Sequence, residues 1–426
     1  DFSPSSPHAL EVFLRDTDEV RKADCTSSIF FCDKNDSEHL SFFPLSSLSL
    51  LLFPMLVFAG EPKFRQQDID KEVGVGYGLQ LADMNGDGKT DIVLVDKDKV
   101  AWYQNPSWKK HQVSGHLTKR DHVCVTARDI DGDGKAELAV GAQWNPGDTV
   151  NSGAVFYLSP TADRSGNWTP VKLYHDPTTH RMHWVKNPAG QYDLVVKPLY
   201  GRGNKGGRGD PLKMLAYKVP KNPEKDEWKT SLVSEFLHNS HNFQPVNWDK
   251  DKEEELLVTG VEGTWLLDRQ KDNSWSRKQI AKPFGGEVRD GKLPDGRRFV
   301  TTIEPRHGSV VACYVAEGKD WKRHVLDTTL KDGHALATAD FLGLGGQQIA
   351  AGWRGMNPRA VPGLKLFVPL DKNYSKWKTY QLSGAEIAVE DIKAGDLNGD
   401  GKPEIIAAGR QTHNLKIFWN ESSGDE

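Results

Sequence analysis

Short apolar runs, each introduced by a glycine-rich acidic loop, recur along the chain. The runs IVLV, LAVGA and IIAAG within DIVLVD, ELAVGA and EIIAAG carry no polar side chain, as is typical of buried β-strands. Each follows a loop of alternating acids and glycines: DMNGDGKT from Asp83, DIDGDGKA from Asp129 and DLNGDGKP from Asp396. No helical pattern follows these loops, so they are predicted to join one strand to the next.

A second signal marks the units in which these loops lie. An aromatic residue followed by polar residues and an alternating strand occurs at Phe64, Trp108, Trp168, Trp228, Trp275, Trp321 and Trp377. Between successive marks the pattern predicts an inner strand, a loop, a second apolar strand, a variable loop and a third strand. Four strands in about 45 to 60 residues is the size of a propeller blade.

The count of units predicts how the ring closes. The seventh unit ends after three strands, and residues 63–70 can supply its fourth. Such a closure leaves no open sheet edge. The predicted fold is therefore all-β: a seven-bladed β-propeller of four-stranded blades, closed by the N-terminal strand and occupying residues 60–426.

The loops carry a resemblance as well. Their pattern, D-x-(N/D)-G-D-G-x-x-(D/E)-(I/L), resembles that of FG-GAP or VCBS repeats of seven-bladed propellers, and the likeness covers residues 63–420. The family occurs in extracellular adhesion modules and in secreted carbohydrate-active lyases, so the fold alone leaves function open.

Composition and the leader suggest export. The 426 residues carry a formal charge of −4, which argues against a nucleic-acid partner. Residues 1–59 form a predicted leader outside the fold, whose apolar run at 40–59 reads as a secretory signal with cleavage before Gly60. The alternative is a membrane anchor, if the leader is not cleaved. A secreted or periplasmic location is expected.

The acidic loops have the ligand spacing of a calcium site. Oxygen-bearing side chains stand at loop positions 1, 3, 5 and 9, and calcium takes about six to eight oxygen ligands. Glycines at positions 4 and 6 permit the tight curl. Structural calcium is expected in blades one, two and seven, while of the remaining blades only blade four keeps several acids. The predicted ligands are Asp83, Asn85, Asp87, Asp91, Asp129, Asp131, Asp133, Glu137, Asp396, Asn398, Asp400 and Glu404.

Histidines cluster where the inner strands begin. In an up-and-down blade the first strand follows the central channel, so side chains at its start converge on the face opposite the acidic loops. Five of the 14 histidines stand there, in four different blades: His122, His180, His183, His241 and His334. Arginines and aromatic residues occupy the loops joining strands two and three on the same face, and this suits a sugar that carries a carboxylate or several hydroxyls.

These residues favour a lyase or dehydratase that works by β-elimination on a keto-sugar or a uronate-containing saccharide. His122 and His183 are candidate bases, Tyr200 a candidate acid, and Arg202, Arg354 and Arg359 candidate anion holders. A zinc-like or other divalent metal, or calcium, could lie between His180, His241, His334 and Glu390. Trp144 and Trp353 could stack on the sugar. The pattern of seven blades with histidines near the axis is similar to the propeller portion of aldos-2-ulose dehydratase and, more distantly, to propeller-type polysaccharide lyases.

Two rival functions remain. The first is a non-catalytic extracellular propeller that binds glycans or proteins, as adhesion modules do. The second is a hydrolase that uses the pair Glu287 and Glu390. No nucleotide cofactor is expected, because GVGYG lacks the strand–helix setting of a dinucleotide site.

Overall fold

The computed structural model describes residues 60–356 and 360–423. Within these ranges there is no helix, and 28 strands form seven antiparallel four-stranded sheets. The seven-bladed β-propeller predicted from the repeats is confirmed. The predicted leader, residues 1–59, lies outside the described residues. In the described part of the chain, no helix is long and apolar enough to cross a membrane.

The first four blades follow the chain after the closing strand, β1 (Phe64–Asp70). Their strands are, in blade one, β2 (Gly78–Ala82), β3 (Asp91–Val95), β4 (Val100–Gln104) and β5 (Lys109–Ser114); in blade two, β6 (Cys124–Arg128), β7 (Glu137–Ala142), β8 (Ala154–Ser159) and β9 (Thr169–Leu173); in blade three, β10 (Thr179–Lys186), β11 (Tyr192–Pro198), β12 (Met214–Lys218) and β13 (Thr230–Ser234); and in blade four, β14 (Phe243–Val246), β15 (Glu255–Gly260), β16 (Gly263–Arg269) and β17 (Trp275–Ala281).

The last three blades complete the ring. Their strands are, in blade five, β18 (Glu287–Lys292), β19 (Arg298–Glu304), β20 (Val310–Glu317) and β21 (Asp320–Asp327); in blade six, β22 (Gly333–Ala339), β23 (Gln348–Trp353), β24 (Gly363–Pro369) and β25 (Trp377–Ser383); and in blade seven, β26 (Val389–Gly395), β27 (Glu404–Gly409) and β28 (Asn414–Asn420).

The ring closes through β1, as expected. This strand pairs antiparallel with β28, from Phe64 opposite Asn420 to Asp70 opposite Leu415. Blade seven therefore has the order β1-β28-β27-β26. The closing strand joins the two ends of the fold by backbone hydrogen bonds and by side-chain contacts such as Lys416 Nζ to Asp68 Oδ1 at 2.6 Å.

The core lies between the faces of neighbouring blades. The second strand of several blades is buried at every residue, as in β7 and β27, whereas outer strands such as β5 are exposed over most of their length. Trp184 of blade three is 1% exposed, and its indole Nε1 donates to the backbone oxygen of Glu137 in blade two at 3.1 Å. Such contacts hold adjacent blades in register around the central channel.

Candidate functional site

A pocket of about 430 Å³ opens on the channel axis at the face where the inner strands begin. All seven blades contribute to its wall. The lining side chains that carry chemistry are Tyr77, Trp144, His180, Arg181, Tyr200, His241, Arg306, His307, His334, Arg354, Glu390 and Arg410. We call it the axial pocket.

Backbone irregularities direct three of these side chains. The register of the inner strand shifts between Thr179 and Arg181 in β10, between Gly333 and Ala335 in β22, and between Val389 and Asp391 in β26. His180, His334 and Glu390 are the residues at these shifts. A β-bulge leaves one residue unpaired and turns its side chain, and bulges are frequent beside active sites. Each bulge here places an ionisable group in the axial pocket.

Three imidazoles meet in the pocket with suitable geometry for a metal. Ring nitrogens of His241, His307 and His334 all lie within 4.8 Å of one another. The Nε2 atoms of His241 and His307 are 3.1 Å apart. Zinc–nitrogen bonds of about 2.0–2.1 Å at tetrahedral angles place two ligand nitrogens roughly 3.3 Å apart, so the spacing fits a shared zinc-like ion.

The opposite nitrogen of each ring has an acceptor. Nδ1 of His241 lies 2.7 Å from Glu287 Oε1, and Nδ1 of His334 lies 2.6 Å from the backbone oxygen of Glu390. Nδ1 of His307 lies 3.2 Å from Asp332 Oδ1 and 3.3 Å from Arg354 Nη2, a nitrogen that can only donate. A proton held on Nδ1 leaves Nε2 unprotonated, which is how metal-ligating histidines are normally oriented.

Burial keeps the three rings neutral. It lowers the pKa of His241 and His334 well below the usual value, and neighbouring cationic groups add to the effect. The pKa of His307 is also lowered, chiefly by burial. Burial acts to raise the pKa of Asp332, but its hydrogen bond to His307 and the charge of Arg354 outweigh burial and lower it to about 2. A neutral imidazole beside an ionised carboxylate is the protonation state that a metal ligand needs.

A fourth imidazole lies beside this group without a partner of its own. His180 is 5% exposed, and neither of its ring nitrogens has a hydrogen-bond partner among the described residues. Its ring stacks on Trp144 at 4.7 Å between centroids and lies 4.6 Å from the ring of His241. A buried polar group without a partner calls for an explanation, and a bound ligand is one.

Glu390 reaches the axial pocket as expected, but its carboxylate is occupied by arginine. Its Oε2 accepts from Arg354, and its Oε1 accepts from Arg410 Nη1 at 2.9 Å. His307, absent from the predicted metal set, takes the position expected for Glu390. His307 follows β19 in the loop between strands two and three and has φ 56°. The direction of its side chain therefore depends on a left-handed backbone conformation, which the residue type does not predict.

Of the three predicted anion holders, Arg354 lines the axial pocket, but carboxylates of the protein already engage it. Arg354 is bound to Asp332 (Nε–Oδ2 2.8 Å) as well as to Glu390. Arg202 points to the rim, where it donates to Val150 O at 2.9 Å. Arg359 lies outside the described residues.

Two other arginines are better placed to meet an anion. Arg306 and Arg181 line the axial pocket and form no ion pair with a described carboxylate. Arg306 donates to the Asn239 amide oxygen at 3.3 Å and lies 5.6 Å from the ring centre of Tyr200. Tyr200 lines the pocket, as required of the acid predicted there.

Neither predicted base lies in the axial pocket. His122 is fully buried, and its Nε2 accepts from the Leu117 amide at 3.1 Å. His122 precedes β6, and its backbone amide donates to the backbone oxygen of Lys97 at 2.9 Å. His183 faces the channel below the pocket, where its Nε2 lies 3.1 Å from Phe243 O. The prediction of bases at these two positions is corrected on this geometry.

The two predicted stacking residues differ. Trp144 lines the axial pocket, although one face covers His180. Trp353 is 7% exposed, packs in the core of blades five and six, and donates from Nε1 to Val361 O at 2.8 Å. It is not available to a sugar. Both carboxylates of the hydrolase pair, Glu287 and Glu390, are also occupied, by His241 and by arginine respectively.

The acidic loops join strands one and two, as predicted, and share one conformation. The first aspartate clamps each loop: Asp129 accepts from the amides of Gly132 at 2.7 Å and Gly134 at 3.0 Å. Both glycines have positive φ, which a side chain would disfavour. Oxygens of Asp129, Asp131 and Glu137 lie within 4.8 Å of one another. Burial and neighbouring carboxylates raise the pKa of Glu137 to about 7, a cost that a bound cation would remove.

Blade four, where no calcium was expected, contains a similar cluster of acids. Oxygens of Asp249, Asp251 and Glu255 lie within 4.8 Å of one another. The loop lacks the usual glycine, but Lys250 adopts φ 74° in its place. The sequence NWDKDKEEE has acids at the same spacing as the other acidic loops, and this spacing alone indicates a fourth cation-binding loop.

Comparisons with known proteins agree with this architecture. The FG-GAP-like repeat family matches residues 83–140, and the FG-GAP repeat family matches residues 125–158. The sequence matches none of the curated proteins compared with it. A solved chain of the mitotic checkpoint complex superposes with a TM-score of 0.54 at 12% identity, covering 93% of this chain and 99% of that one.

Two further solved structures are similar at lower scores. Virginiamycin B lyase from Staphylococcus aureus gives a TM-score of 0.49 at 11% identity, covering 84% of this chain and 99% of that one. An Agrocybe aegerita lectin specific for non-reducing terminal N-acetylglucosamine gives 0.47 at 12% identity, covering 82% and 85%. At these identities the likeness concerns the fold alone.

Proposed function

Because the chain carries FG-GAP repeats within a seven-bladed β-propeller, whose function its fold does not decide, we propose a function from the axial pocket. We propose that the protein is a metal-dependent carbon–oxygen lyase that acts by β-elimination on an acidic or keto-sugar saccharide. The observation that carries the proposal is the convergence of His241, His307 and His334, each with a carboxylate or carbonyl oxygen beside Nδ1, and with the Nε2 atoms of His241 and His307 3.1 Å apart.

A metal is assigned to these three nitrogens. When bound, a divalent ion of the zinc type polarises a carbonyl or carboxylate and so stabilises negative charge that develops beside it. At Nδ1, opposite the metal-facing nitrogen, the ligand rings contact Glu287, Asp332 and the backbone oxygen of Glu390. Such supporting partners fix ring orientation and ligand basicity.

His180 is assigned the role of base. Burial, followed by the charges of Arg181 and other cationic groups, lowers its pKa well below the usual value. A substrate carboxylate bound in the pocket would offset that repulsion and raise the basicity of the imidazole where the proton is taken. Trp144 holds the ring from one side.

The substrate anion is assigned to Arg306, and the proton donor to Tyr200. Arg306 has no carboxylate of its own among the described residues, so a substrate carboxylate can form the paired contact that a guanidinium favours. Tyr200 lies under this guanidinium. In an elimination its hydroxyl would protonate the departing oxygen at the β-carbon while His180 takes the proton beside the carbonyl group.

A binding module is the alternative, because such a pocket can also hold a glycan without chemistry. The two functions differ in what His180 does. A binding site gains little from a buried imidazole with both nitrogens unpartnered, since burying a polar group without a hydrogen bond is costly.

The test combines metal content with turnover. The purified protein is incubated with 1,5-anhydrofructose, aldosuloses and uronate polysaccharides, and ultraviolet absorbance reports the new double bond. His307→Asn should lose the metal and the activity, whereas His180→Gln should keep the metal and lose turnover about 10²-fold or more. His324→Gln, on outer strand β21, is the matched control and should match the wild type.

Two results contradict the proposal. A protein without a transition metal at the axial histidines would remove the assigned centre. Saccharide binding with a bound metal, but with no double bond formed from any substrate, would favour the binding module.

A further inference from the structure

A second, much smaller cavity lies in the central channel below the axial pocket. Its volume is about 30 Å³, close to the share of one water molecule in the liquid. The polar side chains around it come from different blades: Gln80, Arg181, His183, Asn242, Arg289, Asp391 and Lys393. We call it the channel cavity.

Three cationic side chains face this space. Lys393 is paired with Asp391, Nζ to Oδ2 at 2.9 Å. Among the described carboxylates Arg289 pairs with Glu287 alone, at 3.9 Å, and its Nη1 donates to the backbone oxygen of Val288 at 2.6 Å. Arg181 forms no ion pair with any described carboxylate, and its Nη1 donates to its neighbour's backbone oxygen at 3.0 Å.

The available carboxylates are already engaged. Asp391 accepts from the Leu79 amide at 2.8 Å in addition to its lysine. Glu287 is bound by His241 and by the Asn242 amide. At most two carboxylate charges therefore face three cations in a site largely removed from water, and both carboxylates have other partners.

The excess positive charge acts on neighbouring groups. Burial, and then Lys393 and Arg289, lower the pKa of His183 to about 3, so this ring is neutral. Burial and then Arg181 lower the pKa of Lys197 well below its usual value, although Lys197 donates to the backbone oxygen of Ser240. Nearby like charges disfavour further cations. The field at the channel cavity is that of an anion site.

We propose that the channel cavity binds a monatomic anion, chloride under physiological conditions, between Arg181, Arg289 and Lys393. The volume admits one water-sized particle and excludes a sugar carboxylate with its attached ring. A water molecule would fit, but it would leave the half-buried guanidinium of Arg181 without a counter-charge, which a bound anion supplies.

The site shares Arg181 with the axial pocket, but its other two cations, Arg289 and Lys393, do not line that pocket. The carboxylate holder assigned above, Arg306, lines the axial pocket and not the channel cavity, whereas Arg289 lines only the channel cavity. Variants at these two arginines therefore separate an anion bound in the channel from one bound above it.

The first test is thermal unfolding of the wild type in sodium chloride and in sodium methanesulfonate at equal ionic strength. Methanesulfonate is too large for the cavity. Chloride should raise the Tm by about 2 °C at saturation relative to methanesulfonate. Arg289→Gln should lose this difference, and Arg306→Gln, the matched control, should retain it.

The second test needs no variant. Crystals of the wild-type protein grown in sodium bromide should show an anomalous peak between Arg181, Arg289 and Lys393. Equal Tm values in the two salts with no such peak would overturn the proposal. A chloride effect that Arg306→Gln abolishes and Arg289→Gln keeps would overturn it as well, by placing the anion in the axial pocket.

Discussion

Replacement of Asp96 tests how one buried carboxylate holds the wall of the axial pocket. Asp96 follows strand β3 and accepts four backbone N–H groups: Gly74 and Val75 at 2.7 Å, Lys97 at 2.8 Å and Gly76 at 3.2 Å. These bonds shape the segment that leads into Tyr77. An Asp96→Ala variant leaves these donors without their acceptor.

The expected cost follows from the burial of those donors. An unsatisfied buried donor costs about 1–3 kcal/mol, and water can reach some of the four in part, so Asp96→Ala should lose about 3–4 kcal/mol of unfolding free energy. Asp96→Asn keeps one acceptor oxygen and should lose about 1–2 kcal/mol. Urea unfolding measures both.

The loss should also depend on pH. Burial acts to raise the pKa of Asp96, but the hydrogen bonds from Val75, Gly74 and Lys97 outweigh it, so the pKa lies below 3.8. A lowered folded-state pKa means that the carboxylate stabilises the fold fully above the unfolded value and loses that effect as the pH falls below it. The gap between wild type and Asp96→Asn should be constant near neutrality and shrink below about pH 4. A gap that stays constant into acid, or no gap at all, would refute this reasoning.

Three further outcomes are expected. Trp184→Ala should cost about 3–5 kcal/mol in urea unfolding, because it opens a cavity between blades two and three, and a change below about 1 kcal/mol would contradict the assigned packing. Chelation of calcium should lower the Tm of the wild type, and Glu404→Gln should reduce that drop; a Tm unaffected by chelator would show that the acidic loops hold their shape by their own hydrogen bonds. Asp332→Asn should weaken zinc binding about 10–100-fold in competition with a chromogenic chelator while leaving the Tm of the metal-free protein nearly unchanged, and unaltered affinity would remove its supporting role.

The fold was readable from the sequence because its signals are local and repeated. The aromatic marks recur once per blade and the acidic loops in three of the seven, and the strand expected at 63–70 is found as Phe64–Asp70. The convergence of His180, His241 and His334 was also predictable, since topology alone brings the starts of inner strands to the axis.

The remaining parts of the site depend on features that residue types do not encode. His122 and His241 both precede an inner strand, but only His241 lines the axial pocket, whereas His122 contacts the backbone of Lys97 and Leu117. Whether Arg354 is available depends on Asp332 and Glu390, which come from other segments of the chain. His307 reaches the metal position from a loop with positive φ. Long-range pairing and local backbone strain, rather than composition, decide these three cases.

Because β1 pairs with β28, the first strand remains unpaired during synthesis until the last strand has been made. The closing strand leaves the ribosome about 350 residues before its partner, and at about 5–20 residues per second that delay is roughly 20–70 s. An unpaired strand is a template for association with other chains. Five of the seven residues in FRQQDID are polar, so the unpaired segment can remain solvated and resist association with other strands until the last blade folds.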